Sequence, residues 1–336
     1  MDDASAAQAL TARQVPAKTL KVPVTVSPEL QRSISNLAAA PRLSADQMPS
    51  TPEAWKAFVA VADSQAAALA PILASIFPHT VNLTTIAGVT VREITPASLD
   101  PAKAGKVLIN FHGGGYVLNG GEASTGEAVL GAHYSGMKVI SVDYRMAPDH
   151  PYPAAVEDAV AVWKAVTATQ APGSVGVFGT SAGGGLSLAL VLKLKQLGLA
   201  LPGALALGTP WADLTGASDS YAVNAEVDGI FTSFDTMGQA MAAVYAGPAG
   251  VTDPLISPIF GDYAGFPPAI VTTGTRDILL SDSVRVYRKM RDAGVTARLE
   301  VHEAMSHAEY IYAFDSPESA TAFRDIAAFF DAHLQG

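Results

Sequence analysis

Ser181 stands in Gly179-Thr180-Ser181-Ala182-Gly183, a G-x-S-x-G. The apolar run 175–178 precedes it, and a helical pattern opens near Ala182. That strand–turn–helix context is what a nucleophile elbow requires, with glycines leaving room for a turn too tight for side chains beside the serine. The helix N-terminus behind Ser181 would add partial positive charge where an anion forms. The competing use of these residues is a Gly/Ser-rich turn that cradles a phosphate. Against a nucleotide site, the chain holds no G-x-x-x-x-G-K-[ST], and residues 179–185 lack the lysine that would reach a phosphate.

A second group lies upstream, in His112-Gly113-Gly114-Gly115-Tyr116, directly after the apolar run 106–111. Consecutive glycines leave backbone N–H groups unshielded and free to point into a cavity. This is an HGGG-type oxyanion motif, whose donors join the N–H following a nucleophile; here they would be Gly113, Gly114 and Ala182. A glycine hairpin without chemistry is the alternative. His112 is expected to prop the loop through a hydrogen bond and to transfer no proton.

A nucleophilic serine in this context calls for an acid and then a histidine, in that chain order. Asp277 falls just past the apolar run 269–273, where a strand-end loop would hold an acid. Asp282 is the runner-up, expected to cap a helix starting near Ser283. Only His302, His307 and His333 follow Asp277. His302 sits within a strand pattern and His333 at the end of the last helix, where a cation complements the dipole. His307 lies in the loop between them and is the candidate base. The segment His302-Glu303-Ala304-Met305-Ser306-His307 imitates a zinc motif, but H-E-x-x-H needs its histidines four apart on a helix. No metal and no cofactor are expected.

These residues need a frame. Strand patterns recur at 89–94, 106–111, 139–144, 175–178, 204–207, 269–273 and 299–302. Helical spacing fills 155–168, 182–197, 281–293 and 319–334. Alternation of this kind predicts an α/β fold with a mostly parallel sheet covered on both faces. Before it, residues 1–80 are Ala-rich and proline-broken, with one amphipathic helix over 55–69 that Pro71 should end or kink. Between 207 and 269 roughly sixty residues interrupt the rhythm, far more than an ordinary connection, with helical character at 234–245. The first segment and the insertion 212–250 are read as a helical cap over a catalytic domain spanning 81–336. Tyr116, Trp211, Tyr221 and Phe231 are pocket candidates, or else residues of the core and cap packing.

The chain has 336 residues, 49% hydrophobic and 15% charged, with 21 basic against 31 acidic residues and a formal net charge of −10. Such an acidic balance argues against nucleic-acid binding and against docking on an anionic membrane. There is no cysteine, which excludes disulfides, thiol nucleophiles and cysteine-ligated metals. The apolar stretch from Leu186 is interrupted by Lys193 and Lys195 and is too short to span a bilayer. The start, Met1-Asp2-Asp3-Ala4, has neither a basic nor an apolar leader region, so the expected location is cytoplasmic. The strand at 299–302 is a possible sheet edge, open to homodimer pairing.

Together the motifs resemble the hormone-sensitive-lipase-like group of α/β-hydrolases, the bacterial family IV carboxylesterases. The resemblance rests on 112–116, on Val142-Asp143-Tyr144-Arg145-Met146-Ala147-Pro148-Asp149-His150-Pro151-Tyr152-Pro153-Ala154, on 179–184, on Asp277 and on Met305-Ser306-His307. Thr180 before the nucleophile is similar to the subgroup with threonine in place of aspartate. The resemblance implies an α/β-hydrolase fold, a cap, no cofactor, and short-to-medium acyl esters as small-molecule substrates. It also implies Ser181, Asp277 and His307 as the triad, and a structural role for 143–154 with Arg145 buried in hydrogen bonds. Two departures stand out: Ala308-Glu309 where the family often has Gly-Phe, and Ile278-Leu279 where it often has Pro-Leu. A weaker likeness of 275–289 to lactone hydrolases keeps lactones open, as are amides and aryl esters, and a binding-only homologue is the reading from another class.

Overall fold

The computed structural model describes residues 15–17, 19–38 and 43–336. The opening residues 1–4, and with them part of the expected 1–80 segment, lie outside the described residues. The strands are His79–Ile86 (β1), Val89–Pro96 (β2), Val107–Phe111 (β3), Lys138–Val142 (β4), Val175–Thr180 (β5), Ala204–Gly208 (β6), Ala269–Gly274 (β7) and Ala297–His302 (β8). They make one sheet in the order β1-β2-β4-β3-β5-β6-β7-β8, with β8 at one edge. The pairs β1/β2 and β2/β4 are antiparallel and the other five parallel. Helices follow as Pro28–Ala38 (α1), Pro52–Ala67 (α2), Ala70–Ile76 (α3), Thr125–Ser135 (α4), Ala154–Thr167 (α5), Ala182–Gln196 (α6), Ser220–Val223 (α7), Gln239–Ala246 (α8), Leu280–Asp292 (α9), Glu309–Tyr312 (α10) and Pro317–His333 (α11).

Continuous apolar strands are legible because both sheet faces are covered. Successive residues point to opposite faces, so Ile109, Val177, Leu205 and Val271 pack with α5, α6 and α9. Their neighbours Leu108, Phe178, Ala206 and Ile270 pack with α4 and α11. Each strand and helix expected inside the catalytic region is found within two residues of its expected bounds.

Among the elements not foreseen are β1 and α4, beside the one-turn helices α7 and α10. β1 is exposed along most of its length, so it shows no alternation to read. α4 has the opposite problem: eight of its residues are buried, and a Gly/Ala-rich helix covered on most sides has no polar face. The amphipathic helix expected over 55–69 is α2, which buries only Trp55; the chain breaks before Pro71, which sits in the first turn of α3. The structure also corrects the membrane-span reading. Among the described residues, Pro52–Ile76, not the stretch from Leu186, is long and apolar enough to cross a membrane by length and composition, and it lies almost wholly on the surface, with only Trp55 and Leu73 buried.

Candidate active site

Ser181 joins β5 to α6 with φ 61° and ψ −122°, a region that costs a non-glycine residue about 1–3 kcal/mol. Backbone bonds hold it there. Its N–H donates to the Gly208 carbonyl at 2.9 Å, and its carbonyl accepts from the Gly185 and Trp211 N–H groups at 3.0 and 2.9 Å. The flanking glycines are obligatory by space. A Cβ on Gly183 would lie 1.8 Å from the Phe111 carbonyl oxygen, and one on Gly179 would lie 2.2 Å from it. Ala182 is the first residue of α6 and fully buried, so its N–H is among the donors with no acceptor inside the helix.

The glycine loop runs beside the elbow, with the Cβ position of Gly113 3.3 Å from Ser181 Cβ. His112 Nδ1 and Asn119 Nδ2 bond the Gly113 carbonyl at 2.8 and 3.2 Å. In a trans peptide the N–H points opposite to its carbonyl, so this anchoring fixes the direction of the Gly114 N–H. The His112 ring stacks on Tyr144 at 4.2 Å, and burial pulls its imidazole below its ordinary value. Asp63 of α2 accepts from the Asn119 and Gly120 N–H groups at 2.6 and 3.0 Å, tying the N-terminal segment to this loop. Neither Asp63 nor Asn119 belongs to a motif, and no signal in the sequence marked them.

Asp277 follows β7 and His307 follows β8, so adjacent parallel strands deliver both to one end of the sheet. His307 Nδ1 and Asp277 Oδ1 are 3.1 Å apart, and Thr209 Oγ1 is also 3.1 Å from that nitrogen. The Asp277 carboxylate accepts further bonds from the Leu279 N–H at 2.8 Å and the Thr273 hydroxyl at 2.7 Å. Burial lowers the affinity of His307 for a proton. The hydrogen bond and charge of Asp277, with the charges of Asp228 and Asp282, outweigh that and leave it above its ordinary value.

Ser181, His307, Gly113 and Gly114 line one cavity of about 550 Å³. Its walls include Ala66 and Leu73 from the N-terminal helices α2 and α3, and Phe231 and Met241 from the insertion. Glu127, buried in the wall, accepts from the Thr180 hydroxyl at 2.6 Å and from Asn110 Nδ2 at 3.2 Å; burial pushes its carboxyl up to about 7. Trp211 lines the cavity as expected, and so does Phe231, whose ring meets His307 edge-on at 5.6 Å.

Several expectations need correction. Tyr116 is not on the cavity wall: it is fully buried and stacks on Tyr245 at 3.7 Å, under the glycine loop. Tyr221 stands behind the wall, accepting from Trp211 Nε1 at 3.1 Å. Asp282 caps no helix. α9 already starts at Leu280, and the Asp282 carboxylate turns inward to accept the Ala212 and Asp213 N–H groups at 3.0 and 2.9 Å, bracing the loop after β6. Arg145 bonds Asp158 and Glu157, but its side chain is 45% exposed. The two departures from the resembling family also have structural outcomes. Ala308 keeps a left-handed φ of 56°, suited to glycine, while Glu309 turns away to accept from the Ser306 N–H and the Ser33 hydroxyl. Ile278 has the N–H that a proline would lack, and it donates to Asp228 at 2.9 Å.

The profile of a family described as alpha/beta hydrolase fold matches residues 108–311. The chain belongs to the α/β-hydrolases, among their hormone-sensitive-lipase-like esterases. It is 34% identical over 231 residues to an esterase of Acinetobacter venetianus, covering 68% of this chain and 75% of that protein. It is 32% identical over 235 residues to an ethyl acetate hydrolase of Pseudomonas putida, covering 67% and 73%. Among solved structures, esterase E25 is 36% identical with a TM-score of 0.93 over 96% of this chain and 99% of that one. An esterase from the bacterial hormone-sensitive lipase family is 29% identical with a TM-score of 0.76, over 92% and 99%.

Proposed function

We propose that this α/β-hydrolase cleaves carboxylic esters of short-to-medium acyl chain through an acyl-enzyme on Ser181. One observation carries the assignment of roles. A serine held at a strained elbow shares a cavity with a histidine whose Nδ1 is bonded to a buried aspartate. The esterase relatives support the bond class, since they are described as acting on esters.

In this reading Ser181 Oγ attacks the acyl carbon as His307 Nε2 takes its proton. Asp277 holds the Nδ1–H tautomer and steadies the imidazolium that forms. The Gly113, Gly114 and Ala182 N–H groups receive the oxyanion, and losing one such donor costs roughly 10²–10³-fold in turnover. Collapse breaks the ester C–O bond, and the leaving alkoxide takes the proton from Nε2. Water then repeats the sequence on the acyl-enzyme and restores Ser181. Helices α2 and α3 and the insertion 212–250 act as the cap, because both line the cavity above the elbow.

A p-nitrophenyl ester series from acetate to palmitate, on wild type and Ser181→Ala, tests the proposal. Hydrolysis should peak at short to medium chains and vanish in Ser181→Ala with the fold intact. Retained turnover in the variant refutes the nucleophile, and a preference for palmitate refutes the substrate class.

A further inference from the structure

Asp228 lies in the insertion, away from every motif that carries the chemistry, and is fully buried. One carboxylate oxygen, Oδ1, accepts from the N–H groups of Ile230 and Phe231 at 2.8 and 3.0 Å. The other, Oδ2, accepts from Ile278 and His307, both at 2.9 Å. The first pair belongs to the insertion. The second pair belongs to the two loops that carry the acid and the base, one residue past Asp277 and at His307 itself. A single carboxylate therefore joins three segments that are far apart in the chain.

Its neighbours make the same connection. Asn224 Nδ2 donates to the Asp277 carbonyl at 2.8 Å, and the Gly229 N–H donates to Ser306 Oγ at 3.1 Å. Residues 224–231 thus run along both loops, bonded alternately to each. At the end of this run, Ile230 and Phe231 reach the cavity wall.

We infer that Asp228 is a positioning residue for the Asp277–His307 pair, a carboxylate through which the insertion sets the register of the two catalytic loops. This rests on the triad roles proposed above. An amide at 228 keeps one acceptor and turns an NH₂ group toward two buried N–H donors, so one pair of bonds must be lost. It also removes a negative charge near the imidazole. The charged groups around His307 are Asp277 from its own strand-end loop, Asp282 of α9 and Asp228 of the insertion, and all three favour its protonated form. Burial pushes the Asp228 carboxyl itself up to about 6, so its charge acts on His307 only above that pH; there its loss releases the imidazolium proton more readily, and the acid limb of the pH profile moves down.

The test compares wild type, Asp228→Asn, Asn224→Ala and Ser181→Ala on p-nitrophenyl acetate between pH 5 and pH 9. In Asp228→Asn, kcat should fall roughly 10–100-fold, the loss typical of a slight misplacement of catalytic groups. KM should change little, and the acid-limb midpoint of kcat/KM should shift to lower pH. A role in folding alone would lower the active fraction without moving that midpoint. An unchanged kcat, or a fall with no shift of the limb, overturns the inference. If Asp228→Asn does not fold, Asn224→Ala decides: a several-fold fall in kcat per active site, counted by active-site titration of Ser181 so that a lowered active fraction does not register, supports the strap, and wild-type kcat per active site overturns it. Ser181→Ala keeps the two readings apart, since activity there refutes the triad whatever Asp228 does.

Discussion

Replacing Asp277 by asparagine asks how the histidine is held, and the structure makes the size of the effect calculable. Oδ1 accepts from both His307 Nδ1 and the Leu279 N–H, while Oδ2 accepts, among the described residues, from the Thr273 hydroxyl alone. An asparagine with its oxygen at the Oδ1 position keeps both of the first bonds, and its NH₂ finds a hydroxyl able to accept. The flipped amide would face the Leu279 N–H with another donor, leaving a buried group unsatisfied at about 1–3 kcal/mol. The unflipped form should dominate, and with it the useful Nδ1–H tautomer. What is lost is the charge that stabilises the imidazolium. At an effective dielectric of about 20, two unit charges roughly 3 Å apart interact by about 5 kcal/mol. The amide dipole and the remaining carboxylates recover part of this, leaving about 3–4 kcal/mol, or roughly 10²–10³-fold in kcat. Steady-state hydrolysis of p-nitrophenyl acetate at pH 8 reads this directly. A fall near 10⁴-fold, the scale expected when the tautomer inverts, would show that Leu279 does not lock the amide. A loss below tenfold would refute Asp277 as the orienting acid.

Two further predictions concern stability. Gly183→Ala forces a Cβ toward a backbone oxygen that cannot yield, so the free energy of unfolding from urea melts should fall by about 3 kcal/mol, and wild-type stability would refute the close approach. Glu127, raised from 4.5 to about 7 by burial, binds its proton more tightly folded than unfolded. The folded form therefore loses stability as pH rises from 4.5 through about 7, by about 3 kcal/mol in all. Relative to Glu127→Gln, the wild type should become less stable over that window in urea melts; a flat difference would place the carboxylate in a solvated setting.

Much of this protein was legible because its chemistry is local. A G-x-S-x-G needs its glycines within one turn, and an oxyanion loop needs consecutive residues without side chains, so both leave short signatures. The parallel strands were readable for a related reason: burial on both faces makes them continuous apolar runs. The same logic explains what escaped. β1 has no buried face to give it a period, and α4 has no polar one.

The sequence by itself determined the elbow, the glycine loop, the alternation of strands and helices, and the chain order of Ser181, Asp277 and His307. Tertiary structure decided which side chains turn toward the cavity and which turn away. Tyr116 looks like a pocket aromatic beside the glycines, yet its backbone carries the ring into the core against Tyr245. Asp282 sits where a cap would, yet it points inward to brace the loop after β6. Asp228 has no motif because its four partners are backbone N–H groups, and any residue except proline can supply one. Bonds of that kind are specified by where the chain passes. Only the fold brings 228, 278 and 307 together.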